Sequence, residues 1–326
     1  MGTVENKRKN IGAVITVAAG IMWGFSGACG QYIFERFTIE PAHLTAIRML
    51  CAGVILSCVG FITDKKSMVG VWQSKSDSLK LIIYAVLGVM MAQLTYMQAI
   101  AYTNSGTATI LTYTGPVLVM IIGCASQKRL PTVKEFFAII LVITGTFLIA
   151  THGDPSNMII NSKGLIWGLL SAISLALYTL LPGKITQRYG SVAITGYGMF
   201  IGGIVLFILS GAWNAQLSGD YKFILAFIGI VIIGTVLTFS MYLKGLTMIG
   251  PVKASMLASV EPVSSAVFMI AWLGVPFQYM DLLGFLCILT TIFLLTKAPK
   301  ASKASETSET SETSETSEAS EVLIED

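Results

Sequence analysis

Residues 248–272 read MIGPVKASMLASVEPVSSAVFMIAW, an apolar run interrupted by one acid, Glu261, with Pro262 directly after it. A charged side chain at bilayer depth costs about 2.5–3.5 kcal/mol on insertion scales, so it normally faces a cavity or a partner. Proline removes a backbone donor and loosens the helix where the acid sits. The helix face through the acid carries Ala254, Ala258, Glu261 and Ser265, at spacings of three and four. That small, weakly polar stripe suits close helix packing or a lined cavity rather than lipid. Two readings stay open: an acid that handles substrate or protons, and an acid hydrogen-bonded only to lock a bundle.

The stretch has an echo 146 residues earlier, where 104–120 reads NSGTATILTYTGPVLVM. At that offset Ala108 matches Ala254, Leu111 matches Leu257, Gly115-Pro116 matches Glu261-Pro262, and Val117 matches Val263. Upstream, Gly88 pairs with Gly234 and Tyr96 with Tyr242. Trp23-Gly24 and Trp167-Gly168 recur at 144, a short indel away from the same period. The chain is read as a duplication.

Composition sets the class. Hydrophobic residues make up 54% and charged residues 12% of 326, and mean hydropathy is +0.75, outside the range of soluble globular chains. A helix needs roughly 20 apolar residues to cross a bilayer. Ten stretches are expected to do so, near 11–34, 42–63, 79–102, 106–126, 133–151, 163–182, 191–213, 222–246, 251–272 and 278–297. They lack the two-residue alternation of barrel strands. The expected fold is therefore all-α integral membrane, with ten transmembrane helices. Cys29, Cys51, Cys58, Cys124 and Cys287 all fall inside apolar stretches without metal-ligand spacing and are read as core residues.

Lys and Arg fix orientation. With the N-terminus inside, seventeen of the 21 fall on the inner side, from Lys7-Arg8-Lys9 to Lys303, and Arg36, Arg48, Lys163 and Lys222 fall outside. Both termini are then cytoplasmic. The expected divisions are a cytoplasmic N-terminus 1–10, a first five-helix repeat 11–151, an external linker 152–162, a second repeat 163–297 and a disordered acidic cytoplasmic tail 298–326 rich in Ser-Glu-Thr. Five helices per copy is odd, so the second copy enters the membrane inverted, a plan typical of secondary transporters with a midplane site.

Polar and aromatic residues inside the spans are the candidate lining: Trp23, Gln93, Tyr96, Tyr113, Trp167, Tyr178 and Tyr242, with Glu261 as binding and coupling residue. Aromatic faces plus one acid suit a cation or zwitterion, and would equally line the cavity of an amphipathic metabolite. Packing is the competing reading for Trp23. Arg48, about 9 Å into its helix, is expected to snorkel outward rather than pair with Glu35. His152, with no second ligand at spacing, is expected to be solvent-exposed.

Ten helices in two inverted halves, Trp-Gly early in each half, and Glu-Pro-Val at 261–263 resemble the EamA family of the drug/metabolite transporter superfamily, over about 11–297. The resemblance implies two intertwined five-helix repeats around a cavity lined by helices 1, 3, 4, 6, 8 and 9, with helices 5 and 10 peripheral. It also implies transport of amino acids, other metabolites, quaternary amines or drugs. A Gly-Glu pair frequent in that family after helices 4 and 9 is replaced here by Gln127-Lys128-Arg129 and Leu273-Gly274-Val275-Pro276. Glu261 is left as the acid well inside the spans.

The expectation is thus a secondary transporter of a small metabolite across the cell membrane, in the export direction. Alternatives are an uptake carrier for cations or quaternary amines, and a non-transporting sensor or scaffold. Nothing in the motifs points to an enzyme, a cofactor, a metal or nucleic acid; there is no phosphate-binding glycine loop. The expected partners are a small-molecule substrate, the lipid bilayer and protons.

Overall fold

The computed structural model describes residues 2–154, 159–249 and 251–296, and the expected tail 298–326 lies outside them, as do 155–158 of the expected linker. Among the described residues every regular element is helical, and eight helices are long and apolar enough to cross a membrane. They are α1 (Gly2–Arg36), α2 (Pro41–Thr63), α3 (Lys75–Tyr102), α4 (Ser105–Ser126), α5 (Val133–Thr151), α6 (Ser162–Leu180), α7 (Ser191–Ser210) and α8 (Tyr221–Ile249). The stretch expected as a ninth span is broken into α9 (Pro251–Ala258) and α10 (Glu261–Ala271), and α11 (Tyr279–Thr296) follows. The all-α membrane fold is as expected, and the break falls where Pro262 was expected to loosen the helix. Pro262 at the start of α10 has no amide proton to give the preceding turn, so the helix restarts there.

Helix starts are set locally. Asn104 accepts a bond from the Thr107 amide ahead of α4, and Thr132 with Glu135 forms a reciprocal capping box at α5. Large apolar side chains such as Ile62, Ile143, Phe136, Leu209 and Leu225 point out of the bundle. On a soluble protein that would be a liability; around membrane-length helices it is the lipid contact.

Packing joins elements from the two halves of the chain. The main pairs are α1 with α8, α2 with α7, α3 with α6, α5 with α11, α1 with α10 and α4 with α6; α4 also packs on α10. Glycines give the direction of each crossing. Gly53 faces Phe200 while Gly196 faces Ser57, so α2 and α7 run antiparallel. Gly12 meets Met248 and Gly229 meets Cys29, which sets α1 and α8 antiparallel as well. Backbone irregularities recur at the same offset. A π-helical turn spans Tyr84–Met90 in α3 and another Gly229–Leu237 in α8, around the matched Gly88 and Gly234. The turn at Tyr113-Thr114 inside α4 corresponds to the one at Ser259-Val260.

Polar ties bind the ends. Asp77, at the start of α3, accepts from Tyr189 Oη and Arg188 Nη1, both at 2.9 Å, from the short helix Gly183–Tyr189 after α6. His152 departs from expectation: it is part-buried and its Nε2 lies 2.8 Å from Asp281 Oδ1, tying the end of α5 to α11. The left-handed backbone at His152 (φ 50°) turns the ring back towards that acid. Arg48 also departs. It does not snorkel but lies buried, its Nη2 donating to Gln93 Oε1 at 2.9 Å, because α3 and α7 flank α2 on both sides. Of the cysteines read as core, Cys29 and Cys124 are buried, Cys51 and Cys287 are half-buried, and Cys58 is exposed on α2.

Candidate functional site

Two helix breaks face each other. Tyr113 sits at the turn inside α4, and Glu261 is the first residue of α10. The Tyr113 hydroxyl donates to Glu261 Oε2 at 3.0 Å and lies 3.5 Å from the Ala258 carbonyl oxygen at the end of α9. A carboxylate at a helix start is favoured by the amide dipoles converging there. At a membrane-buried break the freed backbone groups need partners, and the Tyr113 hydroxyl stands near one of them, the Ala258 carbonyl.

One helical turn on, Tyr96 Oη is 2.8 Å from Thr109 Oγ1, which in turn donates to the Ser105 carbonyl at 2.7 Å. A hydroxyl has one proton to give, so Tyr96 is the donor in that pair. Ser265 Oγ lies 3.3 Å from the same threonine oxygen, which links α10 to α4 a second time. Gly27 of α1 makes room: a Cβ there would stand 2.7 Å from the Tyr96 hydroxyl. Trp23 packs on Tyr242 and Phe239 with ring centroids 5.2 and 5.4 Å apart. Tyr113 is within electrostatic reach of Tyr242, Tyr96 and Glu261.

The expected lining residues therefore divide. Glu261, Tyr113, Tyr96, Tyr242 and Trp23 gather in one region, each keeping part of its surface open. Gln93 instead accepts from the buried Arg48 of α2. Trp167 stands behind Tyr96, in the apolar cluster of Met97, Ile100 and Ala108. Tyr178 packs at a tilt against Tyr84, 5.6 Å between ring centroids, at the edge of the core shared by α2, α3 and α7. Thr109 and Ser265 lay on the faces already singled out, and their role was visible only once α4 and α10 crossed. Arg48 carried a readable signal, a cation two turns inside an apolar run.

The sequence pattern of the EamA-like transporter family matches residues 10–151 and again 162–297. The chain belongs to the EamA-like transporter family. This EamA-like transporter is 36% identical over 285 residues to a Salmonella typhimurium protein named as an uncharacterized inner membrane transporter, YicL; the match covers 87% of this chain and 95% of that one. It is 26% identical over 306 residues to the Bacillus subtilis uncharacterized transporter YetK, covering 88% and 87% of the two chains. One crystal structure superposes with a TM-score of 0.59 at 12% identity, over 87% of this EamA-like transporter and 96% of that chain, a likeness of fold alone. The chain is a multi-pass membrane protein of a transporter family, as its composition and helices led one to expect.

Proposed function

We propose that this EamA-like transporter is a secondary carrier that exports a small metabolite, an amino acid, amine or related compound, across the cell membrane. Substrate passes between two inverted five-helix repeats, 11–151 and 163–297, joined by an external linker at 152–162, with both termini cytoplasmic. The observation that carries the reading is the meeting of two helix breaks at Tyr113 and Glu261. Broken helices with an acid between them are the means by which such carriers bind a charged group near the midplane. The antiparallel run of α2 against α7, which hold matched positions in the two halves, supports the inverted arrangement.

In this reading Trp23, Gln93, Tyr96, Tyr113, Tyr242 and Glu261 line the path, and Trp167 and Tyr178 shape it from behind. Glu261 couples movement to protons. When protonated it donates to substrate or backbone; when ionised it accepts from Tyr113 and attracts a substrate cation. No covalent step is required of any residue, which is the ground for reading a carrier rather than an enzyme. The test is flux of radiolabelled amino acids and amines into proteoliposomes under an imposed pH gradient. Accumulation that collapses with the gradient supports coupled transport, and a complete absence of flux with correctly inserted protein rejects the carrier.

A further inference from the structure

A groove of about 350 Å³ lies between α1, the start of α8 and the end of α10. One wall is a stack of three rings. Trp272, which closes α10, lies nearly parallel to Phe25 and Tyr32 of α1, with centroids 5.8 and 5.4 Å away and interplanar angles of 16° and 14°. The other wall is α8 from Tyr221 to Ala226. Gly229 closes the deep end: a Cβ there would stand 3.0 Å from Cys29 Sγ and 3.3 Å from the Phe25 ring, so α8 meets α1 at that level. From Gly229 back to Lys222 the slot runs about 10 Å at 1.5 Å per residue. Its mouth faces out of the bundle, since Tyr221, Leu225 and Trp272 are exposed. Lys222 stands at the rim, its Nζ 5.9 Å from the Tyr221 ring centroid, and has no ion pair among the described residues. The neighbouring acid, Asp220, is engaged in the cap of α8, where its Oδ1 accepts from the Lys222 amide at 2.8 Å. Tyr, Trp and Lys at the end of a membrane span mark the headgroup level, where a lysine reaches out to phosphates.

We propose that this groove is a phospholipid-binding site, in which the lipid phosphodiester pairs with Lys222 and one acyl chain lies in the slot against Trp272, Leu225 and Ala226. The site is separate from the path between the halves and does not depend on the substrate or direction of transport. Each part of the ligand answers one part of the groove. Phosphate alone would leave the apolar slot unfilled, and a chain without phosphate would leave Lys222 unpaired. A phospholipid satisfies both, its charge-assisted contact adding to the burial of methylene groups. A second copy of this chain is the poorer fit. The residues flanking the groove, Ile224 and Ile228 of α8 and Val267 and Ile270 of α10, are exposed and aliphatic and offer no anion to a neighbour's Lys222. Seated there, the lipid braces Trp272, and with it the end of α10, against α1.

The test is native mass spectrometry of the full-length protein in a non-ionic detergent, titrated with dioleoyl phosphatidylglycerol, with dioleoylglycerol and with inorganic phosphate. The phospholipid should give one adduct that saturates first and raises the melting temperature. Dioleoylglycerol, with the same chains and no phosphate, should bind about tenfold more weakly or worse, and inorganic phosphate should leave no adduct. Lys222→Gln should bring the phospholipid down to the level of dioleoylglycerol. Leu225→Trp fills the slot from its exposed side, where folding is not at stake, and should weaken both lipids. Lys163, at the start of α6 and 5.8 Å from the Tyr102 ring, is the control for lysine–tyrosine pairs in general, and Lys163→Gln should retain the adduct. Equal binding of the phospholipid and dioleoylglycerol overturns the proposal, as does an unchanged adduct in folded Lys222→Gln or Leu225→Trp. Equal loss in Lys163→Gln, or an adduct of inorganic phosphate that displaces the lipid, overturns it too. A dimer that Leu225→Trp dissociates would put a second copy in the groove and also overturn it.

Discussion

The hydroxyl of Tyr113 reaches Oε2 of Glu261 at 3.0 Å, and each residue stands where its own membrane helix breaks. The contact joins residues 148 apart in sequence, from the two halves of the chain. It places the acid against the opposite half rather than against its own helix.

Glu261→Gln keeps the shape and a hydrogen-bonding partner for Tyr113 but cannot exchange a proton. We expect folded protein that loses pH-dependent, concentrative flux and retains exchange. Tyr113→Phe removes only the hydroxyl. A hydrogen bond to a charged acceptor contributes about 1.5–3 kcal/mol, so flux should fall about tenfold or more. Wild-type rate and wild-type pH dependence in Glu261→Gln would reduce the acid to a packing residue.

Gly24 is where α1 and α10 touch most closely. A Cβ there would lie 2.6 Å from the Ser265 amide nitrogen and 3.0 Å from the Glu261 carbonyl oxygen. Both neighbours are backbone and cannot swing aside. Overpacking of this kind costs about 1–3 kcal/mol, so Gly24→Ala should lower the melting temperature in detergent. An unchanged melting temperature would mean that the helices part without loss.

The tie at Asp77 joins α3 to the segment after α6. Arg188 is largely exposed, so its ion pair contributes little, whereas Tyr189 is buried against Asp77. Asp77→Ala, which leaves the buried Tyr189 hydroxyl without its acceptor, should therefore destabilise more than Arg188→Gln. Equal losses in thermal melts of the two variants would contradict this ranking.

Orientation is tested by single cysteines at Ser156 and Ser308, with the exposed Cys58 replaced first. An impermeant reagent on intact cells should label position 156 and not 308. The reverse pattern would turn the protein over. Deleting 304–326, a segment with almost no apolar content, should leave insertion and flux intact.

What was legible follows from what sequence encodes locally. Apolar length marks spans, Pro116 and Pro262 mark breaks, and the 146-residue offset foretells matched irregularities, down to the π-helical turns around Gly88 and Gly234. The rotation of one helix against a distant one is not local. For that reason Arg48 was read as reaching for solvent when its partner was Gln93, 45 residues on. His152 was read as exposed when Asp281, 129 residues away, held it. Tyr178 and Tyr96 are equivalent lining aromatics in the sequence, but one packs at a tilt against Tyr84 and the other joins Thr109 beside Ser265.

The two breaks differ in chemistry: where α10 begins with Glu261, the matching break in α4 restarts with Gly115, packed against the Ala172 carbonyl. If the halves are inverted copies as proposed, an acid present in one of them makes the two faces unequal. The two open states of the proposed carrier would then not be mirror images in energy, because position 115 holds glycine where 261 holds the acid. Direction would then be written in one side chain rather than in the architecture.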